Sequence, residues 1–213
     1  MLRRSSVRLA MLRRPAVLWP IVLCVLLVPF CSALDYEETH DEAREFLAGG
    51  MLHVHLSVGD VRIMRSDTNK ITLHYTVKSR RENNVKDAQV NFQVKGRDAR
   101  IEFQASSGGN TQFEVEIEVP QNTNLDVHEK VGDITVEEIE GDKDLELGVG
   151  NIRVRASHSA YRQVNASTSI GDVNGTDYGA TSGWLGKTLK YHGDGKYELR
   201  AHVGVGDITL EGK

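Results

Sequence analysis

At 213 residues with a formal net charge of −4, the chain is long enough for one domain or two small ones, and its acidic balance argues against nucleic acid or an anionic membrane as partner. Its only cysteines, Cys24 and Cys31, fall in a segment that reads as removable. The remainder is therefore expected to hold together by packing, without disulfides or thiol chemistry.

Residues 1–33 read as a secretory signal. Arg3, Arg4, Arg8, Arg13 and Arg14 precede an apolar run from Ala16 to Phe30, and Cys31-Ser32-Ala33 offers small residues for cleavage. The run is shorter than the roughly 20 residues of a membrane span and holds Pro20 and Pro29, so no span is expected after cleavage. Met-Leu-Arg-Arg stands at both Met1 and Met11, either of which can serve as the start. Losing the five arginines and no acid takes the net charge from −4 to −9. Residues 34–44 read as a polar, exposed leader with at most one helical turn.

From Glu45 the pattern is all-β. Leu52, Val54, Leu56 and Val58 alternate, Gly59-Asp60 follows, and Val61 and Ile63 resume on the opposite parity. Because side chains alternate across a strand, the flip marks a corner that keeps one apolar side buried. Glycine followed by Asp or Asn is the chemistry such a corner favours. The template recurs with Leu125, Val127, Glu129 and Val131 before Gly132-Asp133, and with Lys143, Leu145, Leu147 and Val149 before Gly150-Asn151. It recurs again with Val164, Ala166, Thr168 and Ile170 before Gly171-Asp172, and with Leu199, Ala201, Val203 and Val205 before Gly206-Asp207. Glu129 is a misfit in an inward position, and Lys143 reads as a fraying end. The five pairs are read as structural corners, with each Asp or Asn bonding its own backbone.

After the first copy come Ile71, Leu73, Tyr75 and Val77, a charged loop from Arg80 to Lys86, then Val90, Phe92 and Val94, Ile101 and Phe103, and Phe113, Val115, Ile117 and Val119. Short strands at this spacing are expected to pair antiparallel. Pro120 divides an N-terminal β part, 45–120, from C-terminal repeats, 121–213. There the template glycines stand 18, 21 and 35 residues apart, the last gap reading as two units. Units of about 20 residues suit a right-handed or single-sheet-stack parallel β-solenoid, β-helix-like, in which each rung buries its apolar side against the next and the final copy ends the stack.

Gly195-Lys-Tyr-Glu-Leu-Arg-Ala-His-Val-Gly-Val-Gly-Asp-Ile-Thr-Leu210, the upstream Gly183-Trp184-Leu185-Gly186 and the scattered Val-Gly-Asp-Ile units resemble the bacterial DUF4097 family of adhesin-like β-strand-repeat proteins. The resemblance covers about 45–213 and is most specific in the C-terminal third. It implies an exported, noncatalytic, solenoid-like domain and supplies no catalytic residues.

Several groups suggest chemistry, each beside a plainer reading. Asp60, Asp133, Asp172 and Asp207 would repel if stacked, and calcium would relieve them; Asn151 at the equivalent corner favours a structural role. His53 and His55 share one side of a strand, with His74 as a neighbour, which makes them metal candidates as well as ordinary solvent-facing residues. Thr181 to Thr188 resembles a phosphate-binding loop but lacks its first glycine and is followed by a strand instead of a helix. Tyr178, Trp184, Tyr191 and Tyr197 lie among glycines and are ligand-binding candidates for sugar rings or a protein partner. Trp184 also reads as a cap on the apolar end of the stack. Glu114, Glu116 and Glu118 alternate on the solvent side of a strand, and no serine stands in a nucleophile elbow.

The expectation is an exported noncatalytic β-repeat protein, adhesive or structural at the cell envelope, located in the periplasm, on the cell surface or outside the cell. The alternative is a carbohydrate-binding module or carbohydrate-active solenoid enzyme. No cofactor is expected. The expected partners are a cell-surface polysaccharide or an envelope protein, with self-association through exposed terminal edges.

Overall fold

The computed structural model describes residues 36–106 and 110–212; the signal segment read at 1–33 lies outside them. The strands in chain order are β1 (Tyr36–Glu45), β2 (Met51–Ser66), β3 (Lys70–Ser79), β4 (Gln89–Lys95), β5 (Asp98–Gln104), β6 (Thr111–Pro120), β7 (Asn124–Glu137), β8 (Lys143–Arg155), β9 (Tyr161–Ile170), β10 (Val173–Asn174), β11 (Thr181–Ser182), β12 (Thr188–His192), β13 (Tyr197–Val205) and β14 (Ile208–Glu211). Two short 3-10 turns, His158–Ala160 and Thr176–Tyr178, and one α-helical turn, α1 (Glu82–Lys86), interrupt them. The α1 turn lies within the stretch expected as a charged loop, where Val85 is buried and Lys86 pairs with Glu82 one turn away.

The long strands β2, β7 and β8 each run through a Gly-Asx corner and lie parallel in matched register, so Gly59 faces Gly132 and Gly132 faces Gly150. Before the corner, β2 pairs with β5, and beyond β8 come β13, β9, β12 and β11. After the corner, β2 pairs with β6, which continues to β3 and β1, while β8 pairs with β14 and β14 with β10. One sheet is thereby folded along the line of corners into two faces with the core between them. Phe103 of the first face meets Phe113 and Tyr75 of the second edge-on, at centroid distances of 5.3 and 6.0 Å. The inward template positions Leu52, Val54, Val61, Ile63, Leu125, Val127, Ile134, Leu145 and Ile152 are buried, as alternation requires. The expected all-β, solenoid-like architecture is present.

Three features differ from the reading of the sequence. First, β1 occupies the stretch read as a polar leader. It pairs antiparallel with β3 from Tyr36↔Ser79 to Glu45↔Lys70. As an edge strand with mostly exposed side chains it has no apolar alternation to betray it, and its charges are those that keep an edge from recruiting further strands. Second, the parallel stack does not begin after Pro120: β2 is one of its rungs, paired with β7. The expected antiparallel pairs β3–β6 and β4–β5 flank it. Third, the final copy does not end the stack. β13 inserts between β8 and β9, and β14 between β8 and β10. The 35-residue gap is no pair of rungs; it carries the chain through β11 and β12, which cover the end of the first face, before β13 returns to the slot between β8 and β9.

Candidate functional site

The corner glycines, Gly59, Gly132, Gly150, Gly171 and Gly206, hold φ between +134° and +156°. A Cβ on any of them would overlap the backbone carbonyl oxygen of the neighbouring strand, from Phe113 for Gly59 to Gly206 for Gly171. Both the dihedral and the close approach require glycine. The residues that follow form a ladder. The N–H of Asp133 donates to Asp60 Oδ1 at 3.2 Å, that of Asn151 to Asp133 Oδ1 at 2.8 Å, that of Asp207 to Asn151 Oδ1 at 3.3 Å, and that of Asp172 to Asp207 Oδ1 at 2.8 Å. The corners are structural in geometry, but the bond expected within each turn runs instead to the next rung.

Immediately before each glycine stands an aliphatic residue expected to face inward. It does not. Val58, Val131, Val149, Val205 and Ile170 are 40–49% exposed and lie side by side in register. The corner turns the chain before this fourth position can reach the core. At the end of the row the N–H of Gly171 donates to Leu185 O at 3.4 Å, which brings up a glycine-framed turn carrying exposed Leu185 and Trp184, the latter 96% exposed. Of the nine exposed large apolar side chains among the described residues, these are seven; Tyr36 and Leu47 are the others. Sequence reasoning missed this line, although a signal was there: four valines and one isoleucine, β-branched throughout, suit an exposed strand position.

The four aromatic candidates do not form one surface. Tyr178 is buried, donates its hydroxyl to Ala156 O at 3.2 Å and meets Tyr191 edge-on; burial pushes its hydroxyl up to about 12. Tyr191 and Tyr197 are half-buried. Trp184 points away from the core, so it is no cap; buried Leu189 of β12 lies over that end instead.

The polar side of the first face carries a row in register: Glu102, His55, His128, Glu146, His202 and Ser167. It borders an open depression of about 660 Å³ whose floor includes Gly148 and Gly204. The His55 and His128 rings stack at 5.2 Å. Partial burial, then the neighbouring His128, lowers the His55 pKa, against the opposing pull of Asp126. His53 Nδ1 lies 2.6 Å from Asp126, which also reaches His128 Nε2 at 2.8 Å. His74 sits on β3, separated from β2 by β6, and holds Asp41 of β1 at 2.6 Å, a contact that raises its pKa. The three metal candidates are therefore not brought together, and among the described residues no group of three or more such side chains is placed to hold a metal ion.

Both template misfits are buried. Glu129 is 5% exposed, with neither carboxyl oxygen hydrogen-bonded. Burial first, then the charges of Asp60 and Asp133, push its pKa up to about 9. Its carboxyl fits beneath the corner because Gly132 has no side chain there. Lys143, far from fraying, donates from Nζ to Ile139 O at 2.8 Å, Gly141 O at 3.1 Å and Tyr161 Oη at 2.6 Å. Burial pulls it down to about 7, against the opposing charges of Asp142 and Glu140.

The sequence profile of the DUF4097 Toastrack domain matches residues 51–187. The chain belongs to the DUF4097 family. Among solved structures, this DUF4097 chain is similar to a "putative cell adhesion protein" from Clostridium sporogenes, at 19% identity and a TM-score of 0.50, covering 83% of this chain and 100% of that one. A "putative adhesin" from Parabacteroides merdae also matches, at 12% identity and a TM-score of 0.32 over 82% and 80% of the two chains. At such identities the likeness concerns the fold. No curated protein matches the sequence significantly. No helix among the described residues is long and apolar enough to cross a membrane.

Proposed function

We propose that this DUF4097 chain is an exported, noncatalytic β-repeat protein that acts by binding at the cell envelope, as an adhesin or structural partner. The observation that carries the reading is the row of five exposed aliphatic side chains in register at the corners, with exposed Leu185 and Trp184 on the turn bonded to its end. Exposed apolar groups on this scale mark interaction sites. The adhesion named for the C. sporogenes protein agrees with it. Protease shaving of intact cells tests the location, with a periplasmic marker as control and an antibody to residues 184–213 as readout. Digestion while the marker survives supports a surface role. Cutting only after permeabilisation moves the binding role to the periplasm, and failure to fractionate with the envelope or medium overturns export.

A second reading, saccharide binding, is favoured by Trp184, whose ring is free on both faces for stacking on a sugar. Loss of polysaccharide binding in a folded Trp184→Ala variant supports it; turnover of the polysaccharide would point to an enzyme.

A further inference from the structure

The apolar line has an electrostatic companion. Asp60, Asp133, Asp207 and Asp172 are exposed along the same corners, two positions after the aliphatic residues. Each of the first three uses one oxygen to accept a neighbouring N–H. None of the four is in an ion pair among the described residues, and the arginines that follow two of the corners are engaged elsewhere: Arg62 with Glu137 and Arg153 with Glu211. Lys130 stands on the opposite flank of the line, before Val131.

From this juxtaposition we propose that the corner line docks a cationic amphipathic helix of a partner protein, apolar side chains on Val58, Val131, Val149, Val205, Ile170 and Trp184, and lysines or arginines against the aspartate row. The inference rests on the reading that the chain works by binding and names the surface and partner class. Charge complementarity selects the partner: an anionic lipid surface or a second acidic copy would meet the same carboxylates unfavourably. Strand addition is excluded at the line because the backbone groups there are already bonded between rungs. Docking must therefore run through side chains, as a helix lying on a surface provides. Five rungs at about 4.8 Å span roughly 19 Å, the length of a helix of about 13 residues.

The test uses the full chain carrying Trp19→Phe, so that Trp184 is the only tryptophan. The probe is a synthetic 14-residue peptide of leucine and lysine with the leucines on one helical face, compared with a scrambled peptide of identical composition. Saturable binding with a blue shift of Trp184 emission is expected, at least tenfold tighter than for the scrambled peptide. The Val131→Ser/Val149→Ser/Val205→Ser variant should bind at least tenfold more weakly. So should Asp133→Asn/Asp207→Asn, which keeps the ladder acceptors as Asn151 already does, with a shallower salt dependence. Glu116→Gln/Glu118→Gln on the other face should bind as the parent does. Circular dichroism confirms folding, and Val149→Thr alone replaces the triple variant if that fails. Equal binding of the scrambled peptide, or no effect of the line variants, overturns the proposal. So does dimerisation, or partition onto phosphatidylcholine vesicles, that the serine variant abolishes while peptide binding is absent. Because the measurement uses purified protein, its failure leaves the envelope location to be judged by shaving.

Discussion

The N–H of Asn151 donates to Asp133 Oδ1 at 2.8 Å, and the Asn151 side-chain amide reaches the same oxygen at 3.0 Å. One carboxylate oxygen thus ties two rungs together. Asp133→Ala removes the acceptor for both donors and should cost about 1–2 kcal/mol, measured by urea unfolding. Asp133→Asn keeps the acceptor and should change stability by less than about 0.5 kcal/mol. Equal losses in both variants would mean that the charge, not the bond, matters.

Gly150→Ala should be far worse. The position combines φ of +136° with close approach to Gly132 O. Strained dihedrals alone cost about 1–3 kcal/mol, and here the obstructing atom belongs to a backbone held in register on both sides. A loss above about 3 kcal/mol is expected, and since β7 and β8 share the core, melting should be cooperative across both faces. Alanine at Gly49, where a Cβ meets nothing within 4 Å, serves as the comparison.

The edge strand β1 should respond to pH through His74. Its pKa is raised by the hydrogen bond to Asp41, so the contribution to β1 docking is present below the unfolded value of 6.5 and is lost as pH rises through the folded value. Amide exchange of Glu42 and Ala43, corrected for the intrinsic rate, should quicken across that window. Asp41→Asn should remove the pH dependence without unfolding the core. An unchanged profile in that variant would assign the effect elsewhere.

The rungs were legible in the sequence because a parity flip at a Gly-Asx pair is what a strand produces when it turns a corner and keeps one side buried. The buried arms of Leu52–Leu56, Leu125–Val127 and Val164–Ala166 lie where alternation puts them. Their order was not legible. Parallel rungs with the same corner are interchangeable neighbours, so nothing local tells β13 to enter between β8 and β9. Strand β1 was hidden because an edge strand needs no apolar face, and the exposed valines because alternation cannot see where a corner turns the chain outward. Glu129 and Lys143 broke the pattern yet are buried, the first neutralised and the second satisfied by three acceptors.

Those two buried groups give stability a characteristic dependence on pH. The folded pKa of Glu129, about 9, lies above its ordinary value of 4.5, so the unfolded chain releases a proton that the folded one keeps. Stability therefore falls by about 1.4 kcal/mol per unit as pH rises from 4.5 to 9, reaching a cost of about 3 kcal/mol at pH 7. Lys143 acts in the opposite sense: its folded pKa of about 7 lies below 10.5, so the cost of burying it is full below pH 7 and is relieved between 7 and 10.5. The two slopes oppose each other between pH 7 and 9. Stability should fall from pH 4.5 to 7 and then flatten. Glu129→Leu restores the residue type of its register neighbours Leu56 and Leu147. It should stabilise the protein by about 3 kcal/mol more at pH 7 than at pH 4.5, and uncover the rise between pH 7 and 9 that Lys143 supplies. Guanidinium unfolding of parent and variant across this range reads the effect directly, and a variant that keeps the parent's decline below pH 7 would show that Glu129 is not its source.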